Sequence, residues 1–118
     1  GVFVKFPKLK VISGHWGELV PYYLSRFDHM FPPSMTGLPE NFSFYYKQNV
    51  WVTPSGIYDN EDFELCTKKL GIDHIVFSAD YPYISEEGAR SFVENLPASE
   101  EDKEKFGSKN AEKLLHLT

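Results

Sequence analysis

The sequence predicts an α/β fold built from parallel βα units, and three observations predict it. Short runs of β-branched and aromatic residues, bounded by Gly, Pro or Asp, occur at Leu9–Ser13, Val50–Thr53 and His74–Ser78. Stretches of helical periodicity separate them. Fully apolar strands alternating with helices call for a parallel sheet joined by right-handed crossovers. Such units fit either a small doubly wound sheet or a piece of a (β/α)8 barrel. In both, functional groups gather at the C-terminal ends of the strands.

The elements follow in chain order. The N-terminal GVFVKFPKLK is apolar from its first residue and reads as a stretch from within a fold. After the first strand, Glu18–Met30 places Leu19, Tyr22, Tyr23 and Phe27 at helical spacing, with Pro21 tolerated in the first turn. The prolines and glycine of Phe31–Phe44 predict a packed loop. Following the second strand, Asn60–Leu70 carries Phe63, Cys66 and Leu70 on one stripe, and Gly71 closes it. Ser85–Leu96 opens with acids suited to a helix N-terminus. A capping signal at Ser99 starts the last helix, which is expected to break near Gly107-Ser108.

Composition narrows the function. At 118 residues the chain is one domain or part of one, and residues 1–118 are read as a single partial domain. Twelve basic against 17 acidic residues, a net charge of −5, leave no basic footprint for nucleic acid and no polybasic membrane patch. No apolar run approaches the roughly 18 residues of a membrane span. A single cysteine, Cys66, excludes an internal disulfide and a cysteine-based zinc cluster, and makes a reducing, cytoplasmic setting the expectation.

Two residues stand where chemistry is expected. His15 follows the first strand between Gly14 and Gly17, which are expected to keep the space beside it open; it could bind a metal, act as general acid or base, or simply bond backbone at a helix start. Asp80 ends the third strand, where a carboxylate caps the next helix or binds a divalent cation. Glu18 is placed in the first helical turn, favourable for the helix dipole. Arg26, on the same helix, is either solvated or available to a substrate carboxylate. His29, His74 and His116 read as structural or exposed, and Cys66 as core. Trp16, Trp51, Tyr58, Tyr81 and Tyr83 either line a pocket or pack in the core. Among enzyme motifs, a phosphate-binding loop, a dinucleotide fingerprint, a serine elbow and a CxxC pair are all absent.

Five stretches in order, FPKLKVISGHWGE, ELVPYYLSRFD, NVWVTPSG, IVFSADYPY and KNAEKLLHL, resemble the C-terminal portion of the amidohydrolase-related metal enzymes. The resemblance is to the group of aminocarboxymuconate-semialdehyde, resorcylate and dihydroxybenzoate decarboxylases, and it runs over essentially the whole chain. It implies a (β/α)8 barrel of which this chain would cover the last three strands. It further implies that His15 is the acid/base or sits beside the metal, and that Asp80 is a metal ligand. Arg26 would bind substrate carboxylate, in some members of a neighbouring subunit, which makes a homodimer the expected assembly. The implied cofactor is a divalent metal, zinc by default with manganese or magnesium as alternatives, and the implied partner is a small carboxylate substrate. The family's remaining ligands, a His-x-His or Glu-x-His pair on the first strand and a histidine after the fifth, have no counterpart in Gly1–Phe6.

The implied reaction is metal-dependent, nonoxidative decarboxylation of a small aromatic or unsaturated carboxylic acid. Metal-dependent hydrolysis of a small lactone or ester would use the same ligands on the same fold. A third possibility is a truncated, non-catalytic chain acting through association at its exposed strand edges.

Overall fold

The computed structural model describes residues 1–117. A single turn, α1 (Val2–Lys5), precedes β1 (Val11–Ser13) and a 3₁₀ turn at His15–Gly17. Next come α2 (Val20–Met30), α3 (Pro33–Thr36), α4 (Phe42–Asn49) and β2 (Val50–Val52). α5 (Asn60–Leu70), a 3₁₀ turn at Ile72–His74 and α6 (Ala89–Glu94) follow. The chain closes with α7 (Glu100–Glu104), a π-helical turn at Lys105–Lys109 and α8 (Asn110–Leu115).

The fold is mixed α/β with two parallel strands. Val11, Ile12 and Ser13 of β1 pair with Val50, Trp51 and Val52 of β2. The third expected strand is reduced to one parallel bridge, Val52 to Ile75. Hydrogen bonding shows why. His74 is drawn into a turn, its N–H bonding Gly71 O at 3.1 Å, and only Val76 N continues the ladder, to Val52 O at 3.0 Å. One residue later Phe77 N leaves the sheet for Phe106 O, at 3.1 Å. The direction is still that of a parallel βα arrangement, with β1, β2 and Ile75 side by side in chain order. Among the described residues nothing pairs with the outer edge of β1, where Ile12 is 48% exposed.

The helices depart from expectation at their ends. α5 runs over Asn60–Leu70 as read, capped by the Asp59 carboxylate, which accepts from Glu61 N and Asp62 N. α2 begins at Val20, because Glu18 and Leu19 are left-handed. The expected loop ends earlier than Phe44: α4 starts at Phe42, and Asp28 of α2 anchors it by accepting from Ser43 N (2.8 Å) and Ser43 Oγ (2.6 Å). α6 spans only the centre of Ser85–Leu96. The last helix does not break at Gly107-Ser108. It widens into the π-turn and continues.

Phe106, fully buried, lies at the centre of the core. Its ring packs against Trp16, Phe63, Phe77 and Phe92 at centroid distances of 5.3–6.4 Å. Leu24, Val52, Cys66 and Ile75 complete the apolar mass between the strands and α2 and α5. This packing joins the residue after His15 to the segment that leads into Asp80.

Candidate active site at the strand ends

Beyond β1 the backbone does something the sequence does not advertise. His15, Trp16, Gly17, Glu18 and Leu19 have φ of 47°, 55°, 77°, 50° and 68°, five consecutive left-handed residues. Each non-glycine among them costs about 1–2 kcal/mol relative to right-handed backbone. The turn is held by tertiary bonds: Trp16 N donates to Thr53 O at 2.7 Å and Trp16 Nε1 to Ile57 O at 2.8 Å. The buried Trp16 ring is the anchor.

The glycines around His15 do not keep space open for a ligand. A Cβ on Gly14 would meet Ser55 Oγ at 2.8 Å. One on Gly17 would meet Tyr46 Oη at 2.7 Å, Pro21 Cδ at 2.9 Å and Val52 Cγ1 at 3.0 Å. The room they leave is filled by protein, so both are glycines of close packing, and Gly17 also serves the left-handed turn.

That turn presents the His15 ring between two carboxylates. Nε2 lies 3.3 Å from Asp80 Oδ2, and Nδ1 lies 3.1 Å from Glu18 Oε1. The His15 and Asp80 side chains are about one-third exposed, at 38% and 29%, while Glu18 is at the surface. A neutral imidazole has one N–H to donate, so it bonds only one carboxylate at a time; the imidazolium donates to both. The arrangement therefore suits a ring that picks up and passes on a proton.

Asp80 is itself left-handed, with φ of 61°. Its carbonyl accepts from Tyr83 N (2.9 Å) and Ile84 N (3.1 Å), while its carboxylate is directed to His15. The helix-capping reading thus falls to the backbone and leaves the side chain for the site. Glu18 lies before α2, outside the helical turn expected for it, and its contact with the His15 ring is what the sequence reading missed. The His-x-x-Glu spacing was the available signal. Neighbouring loops are tied in by a hydroxyl chain, Thr53 Oγ1 to Ser55 Oγ at 2.8 Å and Ser55 Oγ to Ser78 Oγ at 3.3 Å.

The other candidates lie apart from this pair. Arg26 is exposed on α2 and makes no ion pair with a described residue; the structure does not bring it to His15 or Asp80. His29 and His116 are exposed. His74 is structural, with Nδ1 on Val50 O at 2.9 Å and its ring stacked on Trp51 at 4.4 Å. Trp16 is core and Tyr58 stacks on Phe92 at 5.3 Å. Tyr81 and Tyr83, next to Asp80, are open to solvent. A cavity of about 240 Å³ beside His15 is bordered by Glu18, Tyr22, Ile57, Asp62 and Cys66. Burial pushes the Cys66 thiol up to about 12, with the Asp62 charge adding to it, so Cys66 is an inert core residue.

Among the described residues no three His, Cys, Asp or Glu side chains are grouped to hold a metal ion. Asp80 with His15 is two donors, short of the three protein ligands usual at a catalytic zinc. The donors present do not by themselves make a metal centre.

A sequence profile of the amidohydrolases matches residues 1–117. The chain belongs to the amidohydrolase family. It is 34% identical over 121 residues to the gamma-resorcylate decarboxylase of a Polaromonas species, covering 99% of this chain and 37% of that protein. The structure of 5-carboxyvanillate decarboxylase from Sphingomonas paucimobilis superposes with a TM-score of 0.93 at 30% identity, over 100% of this chain and 37% of the other. A dihydroxybenzoic acid decarboxylase from Polaromonas, solved with manganese and the inhibitor 2-nitroresorcinol, gives 0.89 at 34% identity, over 99% and 36%. This amidohydrolase chain thus spans about 37% of the length of the curated relative it matches. No helix among its described residues is long and apolar enough to cross a membrane.

Proposed function

We propose that the chain is the C-terminal part, residues 1–118, of a (β/α)8 amidohydrolase that decarboxylates a small aromatic or unsaturated carboxylic acid in a metal-dependent, nonoxidative reaction. β1, β2 and the Ile75 bridge stand for its last three strands. The observation that carries this reading is the His15 ring set between Glu18 and Asp80 at the C-terminal ends of the strands. It occurs in a chain similar to decarboxylases along its whole length.

In this reading Asp80 supplies one oxygen ligand to a divalent cation whose other ligands lie outside this chain. Such an ion, when bound, neutralises charge on substrate oxygens. Zinc was the expectation from sequence; a carboxylate donor equally suits manganese, the ion in the Polaromonas relative. His15 handles the proton. The bond from the substrate carbon to its carboxylate breaks, the electron pair stays on that carbon, a proton from His15 takes the vacated position and carbon dioxide leaves. Glu18, 3.1 Å from Nδ1, keeps the ring oriented.

Arg26 is proposed to bind substrate carboxylate across a homodimer. Its exposure on α2, beside the exposed Tyr22 and Tyr23, supports a surface met by a second copy.

The test is to incubate the full gene product with manganese or zinc and either gamma-resorcylate or 5-carboxyvanillate, and to follow carbon dioxide release. Release that is lost on chelation and in His15→Ala supports the reading. Metal-loaded protein that opens small lactones but liberates no carbon dioxide would overturn it in favour of hydrolysis.

A further inference from the structure

The segment that delivers Asp80 to His15 is barely a strand. After the single bridge at Ile75 it is tied to β2 by Val76 N on Val52 O at 3.0 Å. Two longer contacts at Ser78 tie it to the following loop, Gly56 N to Ser78 O at 3.4 Å and Ser55 Oγ to Ser78 Oγ at 3.3 Å. Yet Asp80 must meet a ring fixed on another part of the chain, 65 residues away. Two contacts with the last helix brace it from the other side. Asn110, 6% exposed, donates from Nδ2 to Ile72 O at 2.7 Å and to Ile75 O at 2.8 Å. Both amide hydrogens are used, and no other side chain of this size carries two donors on one nitrogen.

The second contact depends on the π-turn. In an α-helix the N–H of Asn110 would bond Phe106 O, four residues back. Here it bonds Lys105 O, five residues back. That shift releases the Phe106 carbonyl, which accepts from Phe77 N at 3.1 Å. Phe77 is three residues before Asp80. A widened turn that frees one carbonyl at the point where a failing strand needs an acceptor is a specific use of π-helical geometry. The same residue's ring stacks on Trp16, centroid to centroid 6.4 Å, directly after His15.

We infer that Asn110, together with the π-turn carbonyl of Phe106, is the positioning device that holds Asp80 against His15. This rests on the reading of His15 and Asp80 as the site. Asn110 touches neither substrate nor reacting atoms; it acts on the backbone that carries Asp80.

The experiment reads the pair itself. Diethyl pyrocarbonate acylates unprotonated imidazole nitrogen, and mass spectrometry of peptides gives a rate for each histidine in the full chain. Asp80→Ala is the reference for a released His15, and exposed His29 is the internal standard. Asn110→Asp keeps the shape but turns an acceptor toward two carbonyls. The expected result is a several-fold rise in the His15 rate in Asn110→Asp, approaching that of Asp80→Ala, with His29 unchanged and circular dichroism showing a folded chain. Should Asn110→Asp not fold, Asn110→Ser carries the same test. Gly107→Ala is the control: its Cβ meets only Val93 Cγ1 at 3.6 Å, so its His15 rate should match wild type. A purely structural Asn110 would lower the unfolding midpoint and leave the His15 rate unmoved while Asp80→Ala raises it, which overturns the inference alone. If Asp80→Ala also leaves the rate unmoved, the His15–Asp80 pair fails and the inference goes with it.

Discussion

Gly17→Ala separates close packing from backbone strain, and its cost can be worked from the structure. At φ of 77° an alanine pays the left-handed penalty of about 1–2 kcal/mol. Its Cβ would also fall at 2.7 Å from Tyr46 Oη, 2.9 Å from Pro21 Cδ and 3.0 Å from Val52 Cγ1. Tyr46 and Val52 are core residues, so none of these neighbours yields freely. Overpacking of this kind costs about 1–3 kcal/mol. A stiffer unfolded chain returns about 0.4–1 kcal/mol. The net expectation is a loss of about 1–5 kcal/mol, read as the shift in urea midpoint at constant slope. Gly37→Ala provides the comparison: φ is 67° and nothing lies within 4 Å of the added Cβ. It isolates the backbone cost, with an expected loss of about 0–1.6 kcal/mol. Equal losses in the two variants would refute the packing argument and, with it, the claim that these glycines exist to admit protein rather than ligand.

Three further outcomes are expected. Asp80→Asn in the full gene product should weaken divalent-metal binding or activity by about 10–100-fold, measured by metal titration and turnover; unchanged values would remove Asp80 from the ligand set. Stability should fall as pH rises above about 9, because burial raises Cys66 from 9.0 to about 12 and Tyr46 from 10.0 to about 12. Both groups hold their protons more tightly folded than unfolded, so deprotonation favours unfolding above the unfolded values; urea midpoints that do not fall between pH 9 and 11 would contradict this. Tyr46→Phe should flatten that slope at no cost below pH 9, since the buried Tyr46 hydroxyl lacks a hydrogen-bond partner.

What could be read from the sequence was what local pattern determines. The Asn60–Leu70 helix was legible to the residue because an apolar stripe and a closing Gly agree, and the Asp59 cap found in the structure fits the same start. The placement of His15 and Asp80 at neighbouring strand ends was legible because each follows an apolar run in a parallel fold. The third strand was not, since His74 N and Ile75 N are drawn into a local turn on Gly71 O and Ile72 O, and Phe77 N bonds Phe106 O, a partner 29 positions along the chain in a π-turn with no sequence signature. The α4 helix hid behind prolines, and its anchor, Asp28 on Ser43, is again a tertiary contact. Glu18 was misassigned for the same reason. Helical spacing extends back to it, but the buried Trp16 ring and the Trp16–Thr53 bond impose a left-handed turn that propensity alone would reject.

That turn also explains why the site needs so much of the core behind it. Four non-glycine residues in left-handed backbone represent several kcal/mol of strain by the usual increments. No contact within the turn offsets this; Gly17 N on Gly14 O and Glu18 N on His15 O are ordinary turn bonds. The offset comes from burying Trp16 among Phe63 and Phe106 and from its two bonds to the loop after β2. Phe106 then bears on both arms of the site, through its ring on the His15 side and its carbonyl on the Asp80 side. A truncation such as Phe106→Ala removes the ring and keeps the carbonyl, so it tests the ring arm alone, with an expected loss of about 3–5 kcal/mol read from urea unfolding. A loss well below that range would mean that the Phe106 ring is not what holds the left-handed turn in place.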